Sequence, residues 1–264
     1  MTHIIHKELS YAVRGVLIDV HNKIGPMLPE KFYQEAVAVG LEKRGIACRT
    51  EKMFEVYYGR TQVGLYYVDL WIEGGKLLLE LKVAPEILPI HRAQALSYLK
   101  VTDADLAIVA NFGTRSLTDE RLPNFLRDKN VTFSWQPRPV EGNVLYPELV
   151  NRLLESLHRV HFELGPGFLH QIYRRATMIE LQRQNMSYDY IKSLPIRYEG
   201  QVLGEQAVRL IQVENKVALA TVAVKQIDET LLTALKSRLK HLDVRLGLLA
   251  NFYGEALRVS MMRR

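Results

Sequence analysis

The stretch Asp69-Leu70-Trp71-Ile72-Glu73-Gly74-Gly75-Lys76-Leu77-Leu78-Leu79-Glu80-Leu81-Lys82 decides how the rest of the chain is read. Val68, Leu70 and Ile72 alternate with Asp69 and Trp71, the two-residue period of a strand with one apolar face. Gly74-Gly75 predicts a two-residue hairpin turn, because both residues accept positive φ without a Cβ penalty. A second strand, Lys76 to Val83, returns along the first. Glu80 and Lys82 stand two residues apart on it, so they project from one side, and the hairpin brings Asp69 near them. An Asp, a Glu and a Lys converging beside an apolar hairpin suit a metal-dependent phosphodiester hydrolase.

Outward from the hairpin, the chain reads as alternating helices and strands. Leu9, Val13, Val16, Leu17 and Val20 have helical spacing, and Gly25-Pro26 ends that helix. Pro29 opens a second, since its missing N–H is no loss in a first helical turn. It runs through Phe32, Tyr33, Ala36, Val37 and Leu41 to Gly45. A strand around Met53–Tyr58 and a turn at Gly59-Arg60 lead into the hairpin. Pro85 and Pro89 precede a helix from about Ile90 to Lys100. Leu106-Ala107-Ile108-Val109-Ala110 suits a buried central strand. The order α-α-β-β-β-α-β predicts an α/β domain with a mixed sheet flanked by helices. Residues 114–147 read as a connector, with a last strand at Val131–Trp135 and a Pro137, Pro139, Gly142, Pro147 cluster.

Composition narrows the class. The 264 residues carry 48% hydrophobic and 24% charged side chains, which excludes a disordered or fibrous chain. A net charge of +6 favours a polyanionic partner without demanding one. The single cysteine, Cys48, excludes an intrachain disulfide and reads as a small buried hydrophobe. No stretch approaches the ~20 apolar residues of a membrane span, and the first residues lack an apolar signal core, so a cytoplasmic protein with no membrane partner is expected.

The pattern then returns. Gly165-Pro166, Tyr173, Ala176 and Asn251-Phe252 repeat Gly25-Pro26, Tyr33, Ala36 and Asn111-Phe112, each 140 residues later, and His161 repeats His21. One offset held over so long a span marks an internal duplication, with at most a compensated slip near Gly59/Gly200. Two tandem domains are expected, residues 1–140 and 141–264. Position by position, Asp69 becomes Arg209, Glu80 becomes Ala220, Lys82 becomes Val222, Glu30 becomes His170 and Gln94 becomes Ala234. Scaffold positions recur while the polar set is lost, which separates fold from chemistry.

The segment Gly25-Pro26-Met27-Leu28-Pro29-Glu30-Lys31-Phe32-Tyr33 resembles the Gly-x-x-Glu-x-x-Tyr signature of the GxxExxY proteins, in the PD-(D/E)XK nuclease superfamily. Val68-Asp69-Leu70, Leu79-Glu80-Leu81-Lys82, His91 to Leu99 and Val109 to Gly113 extend the resemblance. It covers residues 9–113 well and 149–253 in degenerate form. Met27 stands where the signature has glycine, while the second copy keeps Gly167 and Tyr173 but has His170 for the glutamate.

The resemblance implies two tandem restriction-endonuclease-like α/β domains and a nuclease using Mg²⁺ or Mn²⁺. Asp69 and Glu80 would be its metal ligands and Lys82 its catalytic lysine. Glu30 would complete the acidic cluster, and Gln94 would steady the site or the scissile phosphate. The expected partner is nucleic acid, DNA ahead of RNA. The degenerate copy would be structural or substrate-binding, in a pseudo-dimer or homodimer. The rival reading is a catalytically silent nucleic-acid-binding or protein-interaction module. An enzyme on a small phosphorylated substrate is disfavoured, because no Gly-rich phosphate loop appears. A basic helix-like segment, Leu235–Arg245, offers a phosphate-contacting or simply solvated face. His91 could approach the site or be structural. Tyr57-Tyr58 and Tyr66-Tyr67 read as packing residues, and His3 with His6 as surface.

Overall fold

Helix α1 (Lys7–Ile24) buries Val13, Val16, Leu17 and Val20 on one stripe, and Gly25 at φ 77° ends it. Helix α2 (Glu30–Glu42) starts after Pro29 and buries Tyr33, Val37 and Leu41, one every four residues. Strands β1 (Cys48–Tyr58) and β2 (Thr61–Ile72) meet at the tight turn Gly59-Arg60. Then come β3 (Leu77–Lys82), α3 (Pro89–Thr102), β4 (Leu106–Asn111) and β5 (Thr118–Pro123). The sheet runs β1-β2-β3-β4-β5, with β3 and β4 parallel and the other neighbours antiparallel. The α3 crossover makes that parallel pair possible.

The hairpin alternation sorts the two faces. Leu70, Ile72, Leu77, Leu79 and Leu81 join Val13, Leu17, Tyr33 and Val37 in one core beneath α1 and α2. Asp69, Glu80 and Lys82 therefore fall on the other face, the one α3 covers.

The computed structural model describes residues 5–125, 132–137 and 144–264. Contacts divide the chain into two compact units, residues 1–131 and 132–264. The expected boundary at 140/141, with Pro139 and Gly142, lies outside the described residues, as do His3 and Val131.

The second unit repeats the order: α4 (Pro147–Leu164), α5 (His170–Arg183), β6 (Tyr188–Tyr198), β7 (Gln201–Val213), β8 (Val217–Val222), α6 (Glu229–His241), β9 (Leu246–Asn251) and β10 (Arg258–Arg263). Its sheet order is equivalent, β6-β7-β8-β9-β10, again with one parallel pair. The buried contacts repeat too. Tyr33 donates its hydroxyl to the Gly25 carbonyl at 2.7 Å, and Tyr173 to that of Gly165 at 2.8 Å. His21 bonds the Thr114 carbonyl and His161 that of Gly254, both at 2.9 Å. Asn111 and Asn251 each bridge both backbone groups of the residue two beyond their neighbouring strand's end, Ala84 and Val224.

Four expectations need correction. The β2–β3 connection is not a two-residue turn: Glu73, Gly74 and Gly75 all take positive φ (48°, 68° and 110°) in a single tight turn, and β3 starts at Leu77. A Cβ on Gly75 would sit 2.4 Å from the Trp71 ring, so the glycine makes room for that side chain. Residues 114–123 are not connector but contain β5, a polar edge strand whose sequence has no apolar alternation to betray it. Residues 132–135 form no strand; Phe133 and Trp135 instead lie against Phe162 and His158 of α4. Finally, α6 stops at His241 rather than Arg245, since Asp243 turns left-handed at φ 51°.

The slip in the repeat also lies elsewhere than at Gly59/Gly200. There the turn keeps its place, and only the glycine moves by one. The β6–β7 pairing shifts between Ile191 and Ser193 of β6, opposite Ala207 to Leu210 of β7, and Ile211 faces Leu219 as Leu70 faces Leu79. β7 thus holds one extra residue, Arg209 at φ 51°, and a shorter turn after Val213 restores the offset.

Candidate active site

β2 and β3 bring three of the expected residues together. Leu70 pairs with Leu79, which sets Asp69 beside Glu80 at the end of the ladder. Asp69 Oδ2 accepts the Leu81 N–H at 2.8 Å, and Lys82 Nζ donates to Glu80 Oε1 at 2.7 Å. Glu80 is buried, at 4% exposure, and the Lys82 side chain nearly so. Glu30, exposed at the start of α2, reaches the same strand end, accepting the Val83 N–H at 3.3 Å.

The electrostatics are those of crowded carboxylates. Burial, then the charge of Glu80, push the Asp69 carboxyl up to about 7, against the pull of the Leu81 N–H and Lys82. Burial also raises Glu80, with Glu30 adding to it and Lys82 opposing. Burial alone would lower the Lys82 ammonium, but Glu80, Glu30 and Asp69 outweigh it and hold the lysine charged. Negative charge here is costly, and a divalent cation would relieve it.

The donor set fits a hard cation. Mg²⁺ accepts one or two carboxylates and keeps several waters. Asp69 Oδ1 accepts no hydrogen bond among the described residues, and Glu80 Oε2 is met only by the Tyr66 hydroxyl, at 3.4 Å. Among the described residues, no group of three or more His, Cys, Asp or Glu is drawn close enough to hold a metal. Any cation would therefore rest on the Asp69–Glu80 pair and its waters.

The other expected residues part ways. Gln94 sits half-buried on α3 and makes no hydrogen bond to Asp69, Glu80 or Lys82 among the described residues. His91 lies at the start of α3, where its Nδ1 accepts the Leu88 N–H at 3.2 Å. Cys48 is half-buried at the start of β1, with burial pushing its thiol up, which suits a packing residue. Tyr33 is wholly buried, donates to the Gly25 carbonyl, accepts the Leu28 N–H at 3.0 Å and stacks on Phe112. The tyrosine of the signature thus clamps the loop that presents Glu30.

Two residues escaped sequence reasoning. Tyr66 packs on Tyr98 with centroids 4.0 Å apart, as a packing residue would, but its hydroxyl also borders Glu80. Gln34 Nε2 donates to the Asp69 carbonyl at 2.9 Å, tying α2 to the strand that carries the ligand. Gln34 lies one helical turn beyond Glu30, and that i, i+4 spacing was the available signal.

In the second unit the corresponding positions hold different groups. Leu210, Ala218, Ala220 and Val222 join Leu235 and Leu239 in the core under α6. Because of the β7 bulge, Leu210 is the residue that turns inward where Asp69 does, and Arg209 is the extra one.

The PD-(D/E)XK nuclease superfamily model matches residues 7–122 and 147–264, most of the chain in two segments, and the chain belongs to that superfamily. Its two five-stranded mixed sheets with flanking helices are two tandem restriction-endonuclease-like α/β domains. No curated protein matches the chain. A solved structure, that of SSO0001, is similar at 18% identity over 35% of this chain and 48% of that one, with a TM-score of 0.28. The likeness thus spans about half of that protein's length.

Proposed function

We propose that this member of the PD-(D/E)XK nuclease superfamily hydrolyses phosphodiester bonds in nucleic acid, DNA ahead of RNA, at a Mg²⁺- or Mn²⁺-dependent site in its first unit. The observation that carries the reading is the convergence of Asp69, Glu80 and Lys82 on one sheet face, with Glu30 at its rim. Asp69 and Glu80 would hold the cation. When bound, it would offset phosphate charge and lower the pKa of a bound water. Lys82, kept as an ammonium by its acidic neighbours, would set positive charge beside the scissile phosphate rather than remove a proton. Gln34 fixes the Asp69 backbone, and the Leu81 N–H orients its carboxylate. Glu30 would extend the acidic rim and Gln94 would steady the phosphate from α3. The GxxExxY resemblance rests on Glu30 and Tyr33.

One such site per chain cuts one strand at a time unless two chains associate, so a homodimer goes with cleavage of both strands and an intramolecular pseudo-dimer with cleavage of one. The chain is proposed to act in the cytoplasm; no helix among the described residues is long and apolar enough to cross a membrane. The domains are proposed to meet near residues 140/141.

A silent binding module is favoured by one observation: Lys82 already occupies one oxygen of Glu80. The test is cleavage of single- and double-stranded DNA and RNA with Mg²⁺, with Mn²⁺ and with chelator. Cleavage that needs the cation and is lost in Asp69→Ala and Lys82→Ala supports the nuclease. No cleavage of any substrate, with no cation-dependent rise in Tm, leaves the silent module.

A further inference from the structure

Where the first unit has its acidic cluster, the second has a cationic cavity. It holds about 210 Å³ and is lined by His170, Arg174, Arg209 and Arg238, with Ala220 and Val222 also in its wall. His170, Arg174 and Arg238 stand in the places of Glu30, Gln34 and Tyr98, Arg209 is the residue added by the β7 bulge, and Glu80 and Lys82 are replaced by small apolar groups. Among the described residues, no carboxylate lines it. Every charge that suited a cation has been lost, and four groups that suit an anion have come in.

His170 and Arg209 are exposed, and it is the burial of Arg174 that makes this more than a solvated basic patch. Arg174 is only 7% exposed, and its neighbour is the Tyr190 ring, 5.5 Å from the guanidinium carbon. Arg174 forms no ion pair with a carboxylate among the described residues, although buried arginines ordinarily do, and neither does the exposed Arg209 nor the half-buried Arg238. Burial followed by the Arg174 and Arg209 charges pushes His170 down. Burial, with Arg209 adding to it, also pushes Arg174 down. The cavity is therefore short of negative charge, as the first unit's site is short of positive charge. The β7 bulge contributes: one extra residue puts Arg209 at the cavity while Leu210 fills the core.

We propose that this cavity binds one phosphate group, through a fork of arginines from α5, β7 and α6. Guanidinium groups match phosphate oxygens in a bidentate way that lysine cannot. A volume of about 210 Å³ lies below the roughly 300–1,000 Å³ of small-molecule sites, so a single oxyanion fits better than a whole nucleotide. The occupant is a backbone phosphate of nucleic acid, which gives the second unit a role in holding substrate, or it is free phosphate. The inference stands on the second unit's own residues and holds whether or not the first unit cuts.

The experiment uses the full chain with chelator, at constant ionic strength. Tm is followed with inorganic phosphate replacing chloride, and affinity for a fluorescent DNA oligonucleotide is measured over a salt series. The proteins are the wild type, Asp69→Asn, Arg238→Gln and Arg174→Gln/Arg238→Gln. Arg238 is half-buried on a helix flank, so its single variant serves if the double one fails to fold.

Wild type and Asp69→Asn are expected to gain Tm with phosphate, and the arginine variants to lose that gain. If the occupant is a nucleic-acid backbone, the single variant weakens DNA binding about tenfold and lowers the salt slope by about one, and phosphate competes with DNA. A phosphate effect lost in the variants with DNA affinity unchanged assigns the cavity to free phosphate. No phosphate effect in the wild type, together with unchanged DNA affinity in Arg238→Gln, overturns the proposal.

Discussion

Asp69 Oδ2 accepts the Leu81 N–H across the β2–β3 hairpin at 2.8 Å, so backbone rather than a counter-ion holds this carboxylate in place. The arrangement keeps its other oxygen available and leaves its charge only partly offset, with the carboxyl pushed up to about 7. Both features bear on stability before any cation arrives.

The first expectation concerns pH. The unfolded Asp69 loses its proton near pH 4 while the folded one keeps it to about 7, so the folded state binds the extra proton in that window. Stability from this group therefore falls as pH rises from about 4 to about 7, by at most about 4 kcal/mol. Asp69→Asn keeps an acceptor for Leu81 and removes the charge. With chelator present it should melt several degrees above the wild type at pH 8 and level with it at pH 4. An equal gap at both pH values would refute the account.

Cation binding should show the opposite trend. A cation on Asp69 and Glu80 must displace the Asp69 proton, so its hold tightens through pH 7. The rise in Tm with Mg²⁺ or Mn²⁺ is expected to be larger at pH 8 than at pH 6 and absent in Asp69→Ala. Calorimetry in buffers of different ionisation enthalpy should register the released proton near pH 7.

Lys82→Met strips a buried carboxylate of its ion-pair partner. Removing one partner of such a pair costs about 3–5 kcal/mol, because the other charge stays buried. Glu80 can escape by taking up a proton, since burial already raises it. The loss measured by urea unfolding should therefore be largest at pH 8 and smaller at pH 5, and Glu80→Gln/Lys82→Met should recover part of it.

Tyr33→Phe and Tyr173→Phe delete matching hydroxyls. Each donates to a glycine carbonyl and accepts a backbone N–H, from Leu28 and from Phe168. About 1–3 kcal/mol should be lost in each case as those groups go unpaired. Similar losses in the two variants would show the repeat as one energetic unit built twice. A loss confined to one would show that the copies no longer share this clamp.

Met27 is 67% exposed and left-handed at φ 67°, where the second copy has Gly167 at φ 111°. A side chain in that region costs about 1 kcal/mol, and the largely exposed Met27 side chain gains little burial to offset it. Met27→Gly should raise stability by somewhat less than that, since glycine also frees the unfolded chain. A drop in Tm would show that Met27 makes a contact worth more than its strain.

Much of the fold was legible because the sequence states it twice. The core positions of α1, α2 and the hairpin recur at a fixed spacing, and their periods match helix and strand in both copies. The edge strands β5 and β10 were not legible. Thr-Asp-Glu-Arg-Leu-Pro in β5 has no apolar alternation, and its pairing comes wholly from lying beside β4. The trio Asp69, Glu80 and Lys82 could be read from strand parity. Gln34 was hinted at only by its i, i+4 spacing from Glu30, and Tyr66 not at all, since their contacts cross between elements.

The sequence by itself determined that one α/β unit occurs twice, and that its acidic pair and lysine occur once, because periodicity and repetition are properties of a string. Only the tertiary structure decided which charges meet, how far burial shifts them, and what replaced them. Arg209 reads in the chain as a simple exchange for Asp69. In the fold it is an added residue on a bulge, with Leu210 turned inward in its stead, because strand register is set by pairing with β6 and β8 and not by counting.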